Sequence, residues 1–256
     1  MDAILLAAGY ATRLYPLTAD RPKALLSVGH YPMIHYILQS IQRIPELEKV
    51  WLVTNDIFLD QFKEWKNSNS LYRSVQLVND GTRTPETRMG AIRDLDFCIE
   101  KHCLRKDLLV IGADNLFEFD LRNFVLQGES HRPYPTLGVY NIGSLELAKR
   151  FGVVTLNGNG RISHLLEKPT KPHSTLVAMC LYYFPKESMP WIRKYLDSGL
   201  PADAPGHLLS WLANQQAVYG YLFEGRWFDI GDLRAYQEAR KVYNRKRAVK
   251  TKREKR

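Results

Sequence analysis

Cysteine is scarce: Cys98, Cys103 and Cys180 are the three in 256 residues. The number is odd and no C-x-x-C pair occurs, so neither a disulfide framework nor a thiolate zinc site organises this chain, and reduced thiols in a cytosolic setting are expected. No apolar run approaches the roughly 18 residues that a membrane span requires. The opening residues carry Asp2 and lack the basic region of a secretory leader. The expectation is a cytoplasmic protein without a membrane span. Internal repeats and low-complexity linkers are absent. So are G-x-x-x-x-G-K-[ST] and G-x-G-x-x-G, which excludes the Walker and dinucleotide fingerprints.

What is present can build a core. The apolar fraction is 45%, with 5 Trp, 14 Tyr and 10 Phe, and the length sits at the upper edge of one α/β domain. The net charge of +9 is localised. Residues 241–256 hold nine Lys/Arg against one Glu, a net of +8, which leaves residues 1–240 near +1. A single domain over 1–240 followed by a basic C-terminal tail is expected. Blocks of like charge at a terminus are usually solvated, and binding of polyanions or anionic lipid is the alternative. No nucleic-acid partner is expected from the near-neutral body.

The elements alternate. Ile4–Leu6, 50–54, Val75–Val78, Leu108–Ile111 and Thr136–Tyr140 read as strands. Helices are expected over 32–44, 58–65 and, opening at Thr84-Pro85, to about His102. Strand–helix alternation with short connections implies an α/β fold with a mostly parallel, Rossmann-like sheet and helices on both faces. The second half is richer in β structure. Val153–Leu156 and Ile162–Leu166 flank the hairpin turn Asn157-Gly158-Asn159-Gly160, and a strand is expected at Val177–Phe184. Further helices are expected near 186–197 and 206–214, then a strand at Val218–Phe223. Asp232 should cap a last helix that turns Leu233, Tyr236 and Val242 inward and could serve a homo-oligomer contact.

Two regions bear chemistry. Ile4 to Ala8 breaks at Gly9 into a compact loop carrying Thr12, Arg13 and then Lys23. A buried strand running into a small-residue turn between two cations suits polyphosphate. Arg13 offers a planar fork for phosphate oxygens and Lys23 a point charge. A surface loop capping the strand is the plainer alternative. Asp114 follows a hydrophobic strand in LLVIGADNLF, and Asp229 stands in EGRWFDIGD. Carboxylates at strand ends suit Mg²⁺, which takes one or two of them together with phosphate and water. Capping of the next turn is the alternative for each.

In order along the chain stand LAAGYATRLYPLT with RPK, GADNLF, FGVVTLNGNGRISHLLEKP and RWFDIGD. Together these segments resemble the sugar-1-phosphate nucleotidylyltransferases, whose patterns are L-A-[AG]-G-x-G-[TS]-R-[LM]-x-P-L-T, G-D-[ND], Y-G-V-V…E-K-P and W-x-D-I-G-T. The resemblance spans residues 3 to about 240. It implies the nucleotide-diphospho-sugar transferase type of fold, with a small β-rich part that binds sugar.

The resemblance also assigns roles. Leu6, Ala7, Ala8, Gly9, Tyr10, Ala11 and Thr12 would cradle the nucleotide, and Thr87, Arg88 and Gly90 would stand at the base. Arg13 and Lys23 would neutralise the triphosphate, and Asp114 and Asp229 would hold Mg²⁺. Gly152, Glu167, Lys168 and Val177 would receive the sugar phosphate. The implied reaction is direct attack of a sugar-1-phosphate oxygen on the α-phosphate of an NTP, with loss of pyrophosphate. Neither a covalent intermediate nor a dedicated base is needed, so Arg, Lys and Asp carry it and no His or Cys does.

The chain departs from the pattern at Ala11, for the second loop Gly, and at Ala113, for the Gly before the metal Asp. Ala178-Met179-Cys180-Leu181 stands where a Gly next to the sugar is common, with Met179 and Cys180 the bulkier residues, and Asp232 replaces the Thr after D-I-G. Ala11 is tolerated if its φ is negative. The base segment lacks the Gln of the family's thymidylyltransferases; a pyrimidine (dTTP, UTP or CTP) is expected nonetheless. A silent nucleotide-sugar-binding regulatory relative and a cytidylyltransferase for a non-sugar phosphate are the alternatives. Retention of Arg13, Lys23, Asp114 and Asp229 weighs against the first, and Glu167-Lys168-Pro169 against the second.

Overall fold

The computed structural model describes the backbone of residues 1–254 and the side chains of residues 1–244. Its elements in chain order are β1 (Asp2–Leu6), β2 (Ser27–Val28), β3 (Tyr31–Pro32), α1 (Met33–Ile41), β4 (Lys49–Thr54), α2 (Leu59–Asn67) and β5 (Val75–Asn79). Then come α3 (Ala91–Lys101), β6 (Leu108–Gly112), β7 (Asn115–Phe117), α4 (Arg122–Ser130), β8 (Thr136–Asn141), α5 (Leu145–Ala148) and β9 (Gly152–Leu156). The chain continues through β10 (Ile162–Glu167), β11 (Leu176–Phe184), α6 (Pro190–Asp197), α7 (Pro205–Gln215), β12 (Tyr219–Phe223), β13 (Trp227–Asp229) and α8 (Leu233–Glu254).

Strands β5, β4, β1 and β6 run parallel, with β1 between β4 and β6. β11 lies antiparallel beside β6 and carries the sheet on to β8, β9 and β10. The sheet is therefore mixed: parallel through β5, β4, β1 and β6, and antiparallel where β11 meets β6, β8 and β9 and in the β9–β10 hairpin. Alternation along β1 divides the core. Ala3 and Leu5 pack with Ile34, Ile37, Phe62 and Phe124 of α1, α2 and α4 on one face. Ile4 packs with Ile92, Leu95, Ile192 and Leu208 of α3, α6 and α7 on the other. Because the chain leaves β1 toward β4 on one side and reaches β6 on the other, the crevice at their carboxyl ends is the topological switch point.

Two expectations are corrected. The helix expected from Thr84 starts at Ala91. Thr84 and Thr87 satisfy each other's backbone and hydroxyl groups in a tight turn, and Gly90 breaks the run at φ +89. In α8, Leu233 is exposed, whereas Tyr236, Ala239 and Tyr243 are the buried stripe and Val242 packs at its margin. Asp232 does cap that helix, accepting from the Ala235 N–H at 2.9 Å. Part of the expected basic tail, the side chains of 245–254 and all of residues 255–256, lies outside the described residues. Among the described residues no helix is long and apolar enough to cross a membrane.

Candidate active site

The two acidic segments meet through a small sheet of their own. β7 follows Asp114 directly, and β13 ends at Asp229; the strands pair antiparallel with Asp229 opposite Asn115. The Ile230 N–H donates to the Asp114 carbonyl at 3.0 Å, locking the two carboxylates at one level. Asn115 is buried and braces the corner: its Nδ2 donates to Gly112 O and to Asp114 Oδ1, and its Oδ1 accepts from Trp227 Nε1 at 2.7 Å. Gly112 is needed here, because a Cβ would stand within 3 Å of Cys180 Sγ, Asn115 Nδ2 and Asp114 Oδ1. Cys180 thus fills what Gly112 leaves open.

Electrostatics mark the pair. Burial, and then the neighbouring Asp114 carboxylate, push Asp229 up to about 6, while Lys23, Arg150 and Arg13 oppose the shift. Burial, with Asp114 as the next cause, raises the Cys180 thiol to about 12, which keeps it neutral. Lys23 Nζ lies 2.7 Å from Asp114 Oδ2.

Lys23 opens a 3₁₀ turn behind Pro22, and Arg13 sits exposed on another, Thr12–Leu14. The loop from Ala7 to Ala11 is tied down on its inner side. Ala7 N–H donates to Val53 O, Asn55 Nδ2 to Ala8 O, and the buried Tyr10 hydroxyl to Thr82. A Cβ built on Gly9 meets nothing within 4 Å, so its small size leaves open space at the strand end. Ala11 has φ 49 and ψ 40, the left-handed region. Its φ is positive, contrary to the condition set for tolerating a methyl there; its carbonyl is held by Thr18 Oγ1 at 2.8 Å.

Glu167 ends β10 opposite Gly152 of β9. Its carboxylate is cradled by two glycines: a Cβ on Gly152 would lie 3.0 Å from Oε2, and one on Gly206, in the first turn of α7, 2.0 Å from it. Lys168 has φ 46, a left-handed outlier for a non-glycine residue, and keeps its side chain largely exposed. Ala178, rather than Val177, faces this recess: its Cβ stands 3.3 Å from the position of a Gly152 Cβ. The Val177 side chain is buried with Val153 against Tyr140, Phe151 and Trp227. The structure thus brings Gly152 and Glu167 together and turns the Val177 side chain away. Ala178 heads the stretch that stands where the family commonly has a Gly, whereas nothing in the sequence marks Gly206, because the recess exists only once β9, β10, β11 and α7 are assembled.

Thr87 and Arg88 are exposed on the loop before α3, where Arg88 Nη1 donates to Pro85 O. Gly90 packs against the Ala202–Asp203 backbone, leaving no room for a side chain.

A divalent cation fits this donor set. Asp114 and Asp229 supply hard carboxylate oxygens, and the Asp114 carboxylate is, after burial, the next cause of the raised Asp229. Among the described residues no group of three or more His, Cys, Asp and Glu forms a closed metal cage. The pair would share an ion with phosphate and water.

A family model described as nucleotidyl transferase matches residues 2–246. A putative mannose-1-phosphate guanyltransferase of Sulfolobus acidocaldarius is 30% identical over 239 residues, covering 92% of this chain and 61% of that protein. The bifunctional protein GlmU of Methanococcus aeolicus is 26% identical, covering 90% of this chain and 51% of its own length. A glucose-1-phosphate adenylyltransferase of Desulfitobacterium hafniense is 26% identical, covering 93% and 62%. The chain therefore spans 51% to 62% of the length of these relatives. Among solved structures, a putative glucose-1-phosphate thymidylyltransferase from Bacillus anthracis has a TM-score of 0.80 at 22% identity, covering 95% of both chains. UDP-glucose pyrophosphorylase complexed with UDP-glucose has a TM-score of 0.79 at 19% identity, covering 96% of this chain and 98% of that one. At those identities the likeness is one of fold.

Proposed function

The chain belongs to the nucleotidyl transferase family, and on that premise we propose that it transfers a nucleotidyl group from an NTP to a sugar-1-phosphate and releases pyrophosphate. The observation that carries this reading is the corner where Lys23 meets Asp114 while β7–β13 pairing sets Asp229 beside it. Paired carboxylates under a cation, next to an open strand end, suit the joining of two polyanions better than they suit simple capping.

Each group has a task. The Ala7–Thr12 loop receives the nucleotide at the β1 end. Arg13 and Lys23 neutralise the triphosphate and stabilise charge that accumulates at the α-phosphorus. Asp114 and Asp229 would hold Mg²⁺, which when bound screens the repulsion between the two phosphates. Glu167, fixed between Gly152 and Gly206, accepts hydrogen bonds from sugar hydroxyls, and Lys168 takes the sugar phosphate. The nucleophile is already an anion near neutral pH, so holding the reactants in line is most of the work.

The finer part of the reading is the base. The sequence favours a pyrimidine, whereas relatives named for guanyl and adenylyl transfer make GTP and ATP its competitors. The test is incubation with each of five NTPs and a set of sugar-1-phosphates, followed by mass analysis for the nucleotide sugar. A product from one pair names both substrates; none from any pair contradicts the reading.

A further inference from the structure

Asp232 stands where the resembling family has Thr, and it does not sit idle. Its Oδ1 caps α8 through the Ala235 N–H, which fixes the carboxylate on a helix end. Its Oδ2 pairs with Arg150 Nη2, from the turn that leads into β9. Gly231 separates this pair from Asp229 without a side chain: a Cβ there would lie 3.3 Å from Asp229 Oδ2 and 3.8 Å from Arg150 Nη2. Beside them opens a cleft of about 240 Å³ lined by Arg150, Asp229, Phe151, Trp227, Phe228 and Glu238, among others. The guanidinium is 44% exposed and its partner 33%.

We infer that Arg150 is a phosphate-binding residue held in reserve by Asp232: a phosphate group entering the cleft beside Asp229 takes the place of the Asp232 carboxylate on the guanidinium. Three arguments converge. An ion pair this exposed is worth little on its own, so exchanging one oxyanion for another is cheap. Arg presents a fork of donors that matches phosphate, and among the described residues Asp232 is the one hydrogen-bonding partner of the Arg150 guanidinium. Arg150 also belongs to the same charge cluster as Arg13, since both cations act on Asp229 and on Asp232. Asp232 is then a positioning residue. It keeps Arg150 aimed across Gly231 and competes with the incoming phosphate, which lowers affinity and speeds release.

The inference rests on the nucleotidyl-transfer reading, but its test is equilibrium binding, which needs no turnover. Calorimetry with inorganic pyrophosphate and, separately, glucose-1-phosphate would be run on the full chain and on Arg150→Ala, Asp232→Thr and the double variant. Arg150→Ala is expected to weaken binding about tenfold. Asp232→Thr, which retains a capping hydroxyl, is expected to tighten it about threefold. In the double variant the tightening should vanish, because the gain passes through Arg150. The anion that responds identifies whether the phosphate comes from the nucleotide side or from the acceptor. Asp232→Asn, closest in shape, guards against loss of the cap and should behave as Asp232→Thr does. Unchanged affinity for both anions in Arg150→Ala, at an unchanged melting temperature, overturns the inference. So does a gain from Asp232→Thr that persists without Arg150.

Discussion

Lys23 and Asp114, 91 positions apart in sequence, meet with Nζ 2.7 Å from Oδ2 at the mouth of the crevice between β1 and β6. The pair is partly exposed, so it contributes at most about 1 kcal/mol to stability. On the proposed reading its charges serve a ligand instead. Lys23→Met should therefore lower kcat/KM by about 10²–10³ while moving the melting temperature by no more than a few degrees. Steady-state pyrophosphate release beside a thermal melt checks both halves.

The Ala11 backbone is left-handed, at φ 49 and ψ 40. An L-residue pays about 1 kcal/mol there that glycine does not. Ala11→Gly should raise the melting temperature by about 2–4 °C, read by calorimetry. A fall would show that loss of the methyl packing outweighs the relief.

Glu167 is seated against Gly206. Gly206→Ala should push the carboxylate out of its cradle, raising KM for the sugar phosphate about tenfold or more while KM for the nucleotide stays put. Equal effects on both substrates would mean that α7 as a whole had shifted.

Asp94 lies buried beside Asp80, and burial, then the Asp80 carboxylate, raise it to about 8. A raised carboxyl stabilises the fold fully below its ordinary range near pH 4, and that contribution is lost as pH rises through about 8. Stability should fall from about pH 4 to about pH 8, the ordinary and the raised value, and level off above that. Asp94→Asn, which cannot ionise, should flatten the fall and melt about 3 °C or more above the parent at pH 9. Parallel pH curves for the two proteins would rule this out.

Much of the scaffold was legible because its signals are local. The β1, β4 and β6 runs are continuous and apolar, the Asn157–Gly160 turn falls between alternating strands, and Asp232 precedes an amphipathic stripe. The candidate site residues stand out in the sequence by their chemistry and by falling past strand ends, but the pairing that sets Asp229 beside Asp114 does not. β7 and β13 are three residues each and pair across more than a hundred positions, so no local pattern announces them. The late start of α3 depends on Gly90 meeting the Ala202–Asp203 backbone, a contact absent from any window around Thr84. Val177 and Ala178 alternate across β11, and which one faces Gly152 is decided by register with β9. The left-handed Ala11 and the Arg150–Asp232 pair likewise appear only in three dimensions.

The most direct measurement is pyrophosphate release with Mg²⁺ across the nucleotide and sugar-1-phosphate pairs, run in parallel on Asp114→Asn. The account predicts release for at least one pair and its loss in the variant, with nucleotide binding largely retained. Release that survives intact in Asp114→Asn, or none from any pair by a folded protein that binds nucleotide, would contradict it.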